Sequence, residues 1–146
     1  MKSILISIKP KWVAKILNRE KTTEIRKTAP KCDLPIDVFI YCTKKDNGLR
    51  YWGYHMGGRI FAKFTLKKRE RIYITAKEQA KTFSLSPEEL CKSLCLDEEE
   101  IWNYLKNGNG YVWHISDLKI FDKPMELSDF GLKRAPQSWC YVEVEK

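Results

Sequence analysis

The first thirty residues leave this chain few ways to begin folding. Ser3-Ile4-Leu5-Ile6-Ser7-Ile8 alternates as a strand and runs into Lys9-Pro10, where proline suits the first turn of a helix. Val13, Ile16 and Leu17 then recur at helical spacing as a buried stripe, with Lys11 and Lys15 on the open side. A second extended segment, Thr22 to Lys27, follows at once and carries Glu24 and Arg26 on one face, because side chains alternate along a strand. Lys21, at the turn before them, swings over the same side. An ammonium, a carboxylate and a guanidinium gathered this way form either a structural ion network or a site.

Further along, Ala29-Pro30 and Leu34-Pro35 punctuate a loop. Ile36 to Thr43 is β-branched and aromatic with apolar residues on both faces, the pattern of a central strand. Lys44 to Gly58 reads as a polar loop holding Tyr51, Trp52, Tyr54 and His55. Arg59–Leu66 and Arg69–Thr75 read as strands, either one long bent strand or a hairpin. Two helix starts stand out: Ser86-Pro87-Glu88-Glu89 is a capping box between Leu85 and Leu90, and Asp97 with Glu100 repeats the device between Leu96 and Ile101. Cys91 and Cys95 are expected on one face of the first of these helices. The second stops at the run 107–110. Tyr111–Ile115 is a strand that Leu118–Phe121 continues past a kink, and Lys123-Pro124 is expected to end it. After a loop at 129–137, Trp139–Glu143 closes the chain. Six or seven short strands with interposed helices predict an α+β fold, a small mixed β-barrel with flanking and inserted helices. One domain spans 1–146, with a helical insert at about 76–107 that reads as a surface excursion.

The net charge of +8 favours polyanionic partners. Basic residues crowd the amino end (Lys9, Lys11, Lys15, Arg19, Lys21, Arg26, Lys27) and residues 67–71, whereas Glu88-Glu89 and Asp97 to Glu100 are acidic. No apolar run approaches the roughly 20 residues of a membrane span. The N-terminus lacks a secretory pattern, so a cytoplasmic location without membrane attachment is expected. Five cysteines in such a chain are expected to be free thiols acting as small apolar fillers. With only His55 and His114 as imidazoles, no metal-ligand spacing occurs, and no cofactor is called for.

The segments Ser7-Ile8-Lys9-Pro10 and Arg19-Glu20-Lys21-Thr22-Thr23-Glu24-Ile25-Arg26 resemble the signature of ASCH domains, a branch of the PUA-like superfamily. In that signature Ser-x-x-Pro ends a strand, and Gly-x-Lys-x-x-Glu-x-Arg follows a helix. Arg19 stands at the glycine position, beside Asn18, which tolerates a left-handed turn and so allows the turn to move by one residue. The resemblance returns at Gln137-Ser138-Trp139-Cys140-Tyr141-Val142. It implies a PUA-like barrel that binds single-stranded RNA or a nucleotide in a cleft carrying Lys21, Glu24 and Arg26, flanked by Lys9 and Trp139.

Some ASCH relatives are amidohydrolases that deacylate a modified cytidine, and others are ribonucleases. If this chain is an enzyme, Lys21 and Glu24 are the catalytic candidates. The amidohydrolase pattern places a threonine three residues after the lysine. That position is Glu24 here, so Thr22 or Thr23 would have to substitute, and Glu78 is the candidate for the distal glutamate.

The side-chain chemistry fits a nucleic-acid ligand. Arg26 offers a planar fork for phosphate or a base edge, and Lys21 a compact charge. Desolvation favours the neutral, basic form of an ammonium and a nearby carboxylate opposes that, so Lys21 as base with Glu24 as proton carrier is the catalytic version. Tyr51, Trp52, Tyr54 and Trp139 are candidates for stacking on an unpaired base, worth about 1–3 kcal/mol per base. Trp102 and Trp113, in regular elements, read as core, and His114 as a hydrogen-bonded structural residue. A third reading makes the acidic helices at 86–106 an adaptor for a basic protein.

Overall fold

A computed structural model describes residues 1–44, 50–51, 54–106 and 108–144, with the backbone alone for Arg50, Tyr51 and Tyr54. In chain order the elements are β1 (Lys2–Ile8), α1 (Pro10–Leu17), β2 (Thr23–Arg26), β3 (Ile36–Cys42), β4 (Arg50–Tyr51), β5 (Tyr54–His55), β6 (Ile60–Leu66), β7 (Arg69–Arg71), β8 (Tyr73–Ile74) and β9 (Ala80–Lys81). Then come α2 (Pro87–Leu94), α3 (Glu98–Leu105), β10 (Tyr111–His114), β11 (Ser116–Met125), a 3₁₀ turn (Leu127–Phe130) and β12 (Trp139–Glu143).

The main sheet has the order β11-β6-β3-β1-β12, with β1 and β3 parallel and the other pairs antiparallel. The residues that read as a central strand, Ile36 to Cys42, do lie in the middle of it. Ile4, Ile6, Ile8, Val38 and Ile40 face α1 and Trp113, while Leu5, Phe39 and Tyr41 face Phe130 and Val142. A second sheet, β2-β10-β7, is antiparallel and packs Ile25 and Val112, with Ile72 just past β7, against Leu90 and Leu94 of α2 and Ile101 and Leu105 of α3. The architecture is mixed α+β. Among the described residues its strands fall into these two sheets and two short two-stranded ladders, β4-β5 and β8-β9.

Several local expectations need correction. Arg59–Leu66 and Arg69–Thr75 are neither one strand nor a hairpin, since β6 belongs to the main sheet and β7 to the second. The kink after Ile115 does the same in reverse: Asp117 takes a left-handed φ of 49° and the register shifts between Ser116 and Lys119 as the chain passes from β10 to β11. Pro124 does not end its strand. β11 is an edge, and its register shifts again between Ile120 and Met125, where a missing N–H does little harm. Cys95 is not on the helical face of Cys91, because it is the left-handed cap of α2 at φ 59°. Trp102 is 48 % exposed rather than core, whereas Trp113 is fully buried. Cys32, Cys91, Cys95 and Cys140 are free thiols.

The two capping boxes form as read. Ser86 and Asp97 each accept the N–H of the residue three positions on, and Glu89 and Glu100 reach back to the cap N–H groups. Gly110 passes so close to Leu105 that a Cβ there would meet its Cδ2. This close approach brings α3 down against the second sheet. Among the described residues no helix is long and apolar enough to cross a membrane.

Candidate functional site

Lys21 is delivered by the way α1 ends. Arg19 takes the left-handed conformation itself, at φ 63°, while Asn18 stays helical, so the turn has not moved by a residue. The N–H of Arg19 donates to Ile16 O at 2.9 Å and that of Glu20 to Lys15 O at 3.0 Å, the two bonds of a Schellman ending. The N–H of Lys21 also reaches Lys15 O, at 3.1 Å.

From that turn the Lys21 ammonium donates to Leu94 O at 2.9 Å and pairs with Glu24 Oε1 at 3.1 Å. The other carboxylate oxygen, Oε2, takes Arg26 Nη2 at 2.6 Å. Arg26 Nη2 also donates to Ser7 O at 2.8 Å, and Nη1 to Ser138 Oγ at 3.2 Å and Ser138 O at 3.4 Å. The guanidinium thus ties β2 to the end of β1 and the start of β12. The three side chains are 2 %, 6 % and 12 % exposed, which makes the network nearly buried. Burial pushes the Glu24 carboxyl up, but the charges of Lys21 and Arg26 and their hydrogen bonds outweigh it and hold it below the ordinary carboxylate range.

The trio forms the floor of a cleft of about 520 Å³. One wall comes from Ser7, Ile8, Lys9 and Trp12, where β1 passes into α1. A second part of the lining is Leu96, Glu100, Asn103 and Tyr104, just before and along α3. Ile25, Thr43 and Gln137 complete the lining. Two carboxylates, Glu24 and Glu100, stand against three cations, Lys9, Lys21 and Arg26, so the hollow is only mildly positive. Its size suits a single small ligand, and its aromatic and aliphatic walls with a few polar groups are what such pockets use.

Lys9, Lys21, Glu24 and Arg26 are brought together, then, with Lys9 at the exposed mouth. Trp139 is not. Its Nε1 donates to Thr28 Oγ1 at 3.0 Å, and its ring packs edge-on against Trp113 and Tyr141, outside the cleft lining. The Tyr51 side chain and all of Trp52 lie outside the described residues. Thr23 Oγ1 bonds Ser93 Oγ at 2.8 Å, and neither Thr22 nor Thr23 lines the cleft. Glu78 sits exposed in the β8–β9 turn with φ 63° and does not line it either.

The aromatic lining residues are Trp12 and Tyr104, neither of which the sequence reading singled out. Glu100 and Tyr104, four apart on α3, share a helical side opposite no obvious core position. That signal was present in the chain, but nothing local said which element that side would face.

No protein-family model and no curated protein matches the sequence. Solved structures do match in shape. The crystal structure of the ASCH protein from Zymomonas mobilis superposes with a TM-score of 0.71 over 97 % of this chain and 87 % of that one, at 16 % identity. A tyrosine-to-phenylalanine variant of the same protein gives 0.72 over 98 % and 91 %, and a serine-to-alanine variant 0.71 over 97 % and 88 %, both at 16 % identity. Nearly the whole chain, insert included, is therefore covered by a fold whose sequence signature its amino end resembles: this chain has the ASCH fold.

Proposed function

We propose that the protein binds single-stranded RNA or a nucleotide, with one base entering the cleft between the Trp12 and Tyr104 walls above the Lys21–Glu24–Arg26 floor. The observation that carries this reading is the coincidence of the signature residues with the floor of a base-sized, aromatic-walled hollow. Lys21 has three N–H donors and two protein acceptors, which leaves one donor for a carbonyl of the ligand. Asn103 and Gln137 add amide groups that match a base edge.

Titration of a fluorescently labelled oligoribonucleotide by anisotropy tests the proposal. Saturable binding is expected, weakened by salt. Trp12→Ala should lose the stacking of one base, about 1–3 kcal/mol or roughly 5- to 150-fold in affinity. No saturable binding of any oligoribonucleotide or nucleotide would end the proposal.

Hydrolysis of RNA or of an acylated cytidine is the second reading, favoured by the 3.1 Å Lys21–Glu24 contact at the floor. It has less support. Both Glu24 oxygens are held by cations and the carboxyl stays ionised, which suits a proton carrier poorly. Neither threonine hydroxyl reaches the cleft. Consumption of acylated cytidine or single-stranded RNA above a Lys21→Ala control would reverse this preference.

A further inference from the structure

The cations of the signature are poorly placed to hold a polyanion. Arg26 spends both Nη groups on Ser7 O, Glu24 and Ser138, its remaining donor Nε is buried, and Glu24 neutralises one of the two buried positive charges. The exposed lysines at the rim are different. Lys11 Nζ lies over the Trp12 ring at 4.7 Å, and Lys27 Nζ over the Tyr104 ring at 5.6 Å. Each of the two aromatic walls therefore carries an exposed ammonium on a ring. Among the described residues neither lysine has a carboxylate partner, in contrast to Lys15, Lys63 and Lys67, which pair with Glu20, Asp37 and Asp117.

An exposed cation–π contact is worth only about 0.5–1 kcal/mol. A base entering the cleft can therefore displace these ammonium groups, which then stand free beside the sugar-phosphate chain on either side of it.

Resting on the reading above, we infer that Lys11 and Lys27 are the phosphate-contacting residues, one on each side of the inserted base, and that the buried Lys21 and Arg26 touch no phosphate. The ligand is accordingly a strand with phosphates on both sides of the bound nucleotide, held by charge at the rim and by stacking and hydrogen bonds within.

The experiment is the salt dependence of binding to a short labelled single-stranded oligoribonucleotide. For single strands the slope of log K against log salt is about −0.7 per phosphate neutralised, so Lys11→Gln with Lys27→Gln should make it shallower by about 1.4. Lys119→Gln with Lys123→Gln is the control. It removes the same net charge from exposed positions on β11, three strands from β1 in the main sheet, and should leave the slope unchanged. An unchanged slope in the Lys11/Lys27 variant, or an equal change in both variants, overturns the assignment while leaving RNA binding in place. A wild-type protein that binds no oligoribonucleotide overturns the functional reading itself, and this inference with it.

Discussion

The Glu24 and Glu70 side chains are both nearly buried, at 6 % and 7 % exposure, yet their surroundings hold them in different ways. Glu24 sits between two full positive charges, one on each oxygen. Glu70 on β7 rests mainly on neutral donors: Ser84 N–H to Oε1 at 2.9 Å, and Ser84 Oγ at 2.6 Å and Thr82 Oγ1 at 3.1 Å to Oε2, with His114 Nε2 also 2.6 Å from Oε2. Burial pushes the Glu70 carboxyl up, but the hydrogen bonds from Ser84, His114 and Thr82 bring it down to about 2. The Glu70 cluster clasps β7, β10 and the segment before α2, and it does not line the cleft. The Glu24 cluster forms the cleft floor with a donor to spare. Burial and a lowered pKa are shared by both. A paired charge beside an opening marks the candidate site, and a saturated hydrogen-bond shell marks the joint.

Glu24→Ala should be the more damaging change, because it leaves Lys21 and Arg26 nearly buried with uncompensated charge, at a cost of about 3–5 kcal/mol. A Lys21→Met, Glu24→Leu double variant should recover part of that loss, measured by urea unfolding. Additive losses would mean that the pair is not a unit. Glu70→Gln keeps the shape but mismatches donors against Ser84 and Thr82, and should cost about 1–3 kcal/mol. If it proves as damaging as Glu24→Ala, the distinction between the two clusters fails.

Acid titration sharpens the comparison. Both carboxyls are depressed in the folded protein, so the unfolded chain binds more protons as pH falls below the ordinary value of 4.5. The stability they contribute is present above that pH and is lost on acidification, for Glu70 down to about 2. Each contributes a slope of up to about 1.4 kcal/mol per pH unit. Glu70→Gln should remove one proton's worth of this slope between 4.5 and about 2, read from unfolding free energies across that range. The smallest effect is expected at the turn that presents Lys21. Arg19→Gly relieves a left-handed strain of about 1–2 kcal/mol against a glycine entropy cost of about 0.5–1, for a net gain near 0.5–1 kcal/mol in thermal or urea unfolding.

Local codes in the sequence were legible where few residues decide the outcome. Both capping boxes, the β1–α1–β2 order, the central position of Ile36 to Cys42 and the closing strand are set by short-range hydrogen bonding or by apolar patterning. Pro124 misled because a proline's cost depends on whether its missing N–H faces a neighbour, and only the sheet order reveals an edge. Trp102 misled because half-helical spacing does not say how deep a side chain lies. That Trp139 lies outside the cleft lining was not legible, because its partners include Thr28 and Trp113, from distant stretches of chain.

By itself the sequence determined that Glu24 and Arg26 share one side of a short strand, since side chains alternate with a period of two residues, and that Lys21 stands in the turn just before it. It also determined that a helix pair would start at Ser86 and Asp97. Only the tertiary structure decided that α3 lines the cleft and that the end of α2 holds Lys21. Leu94 O accepts the Lys21 ammonium, and Tyr104 joins Trp12 in lining one cleft although more than ninety residues of chain separate them. Contacts at that separation depend on how two sheets and three apolar clusters pack together, and no local pattern encodes that geometry.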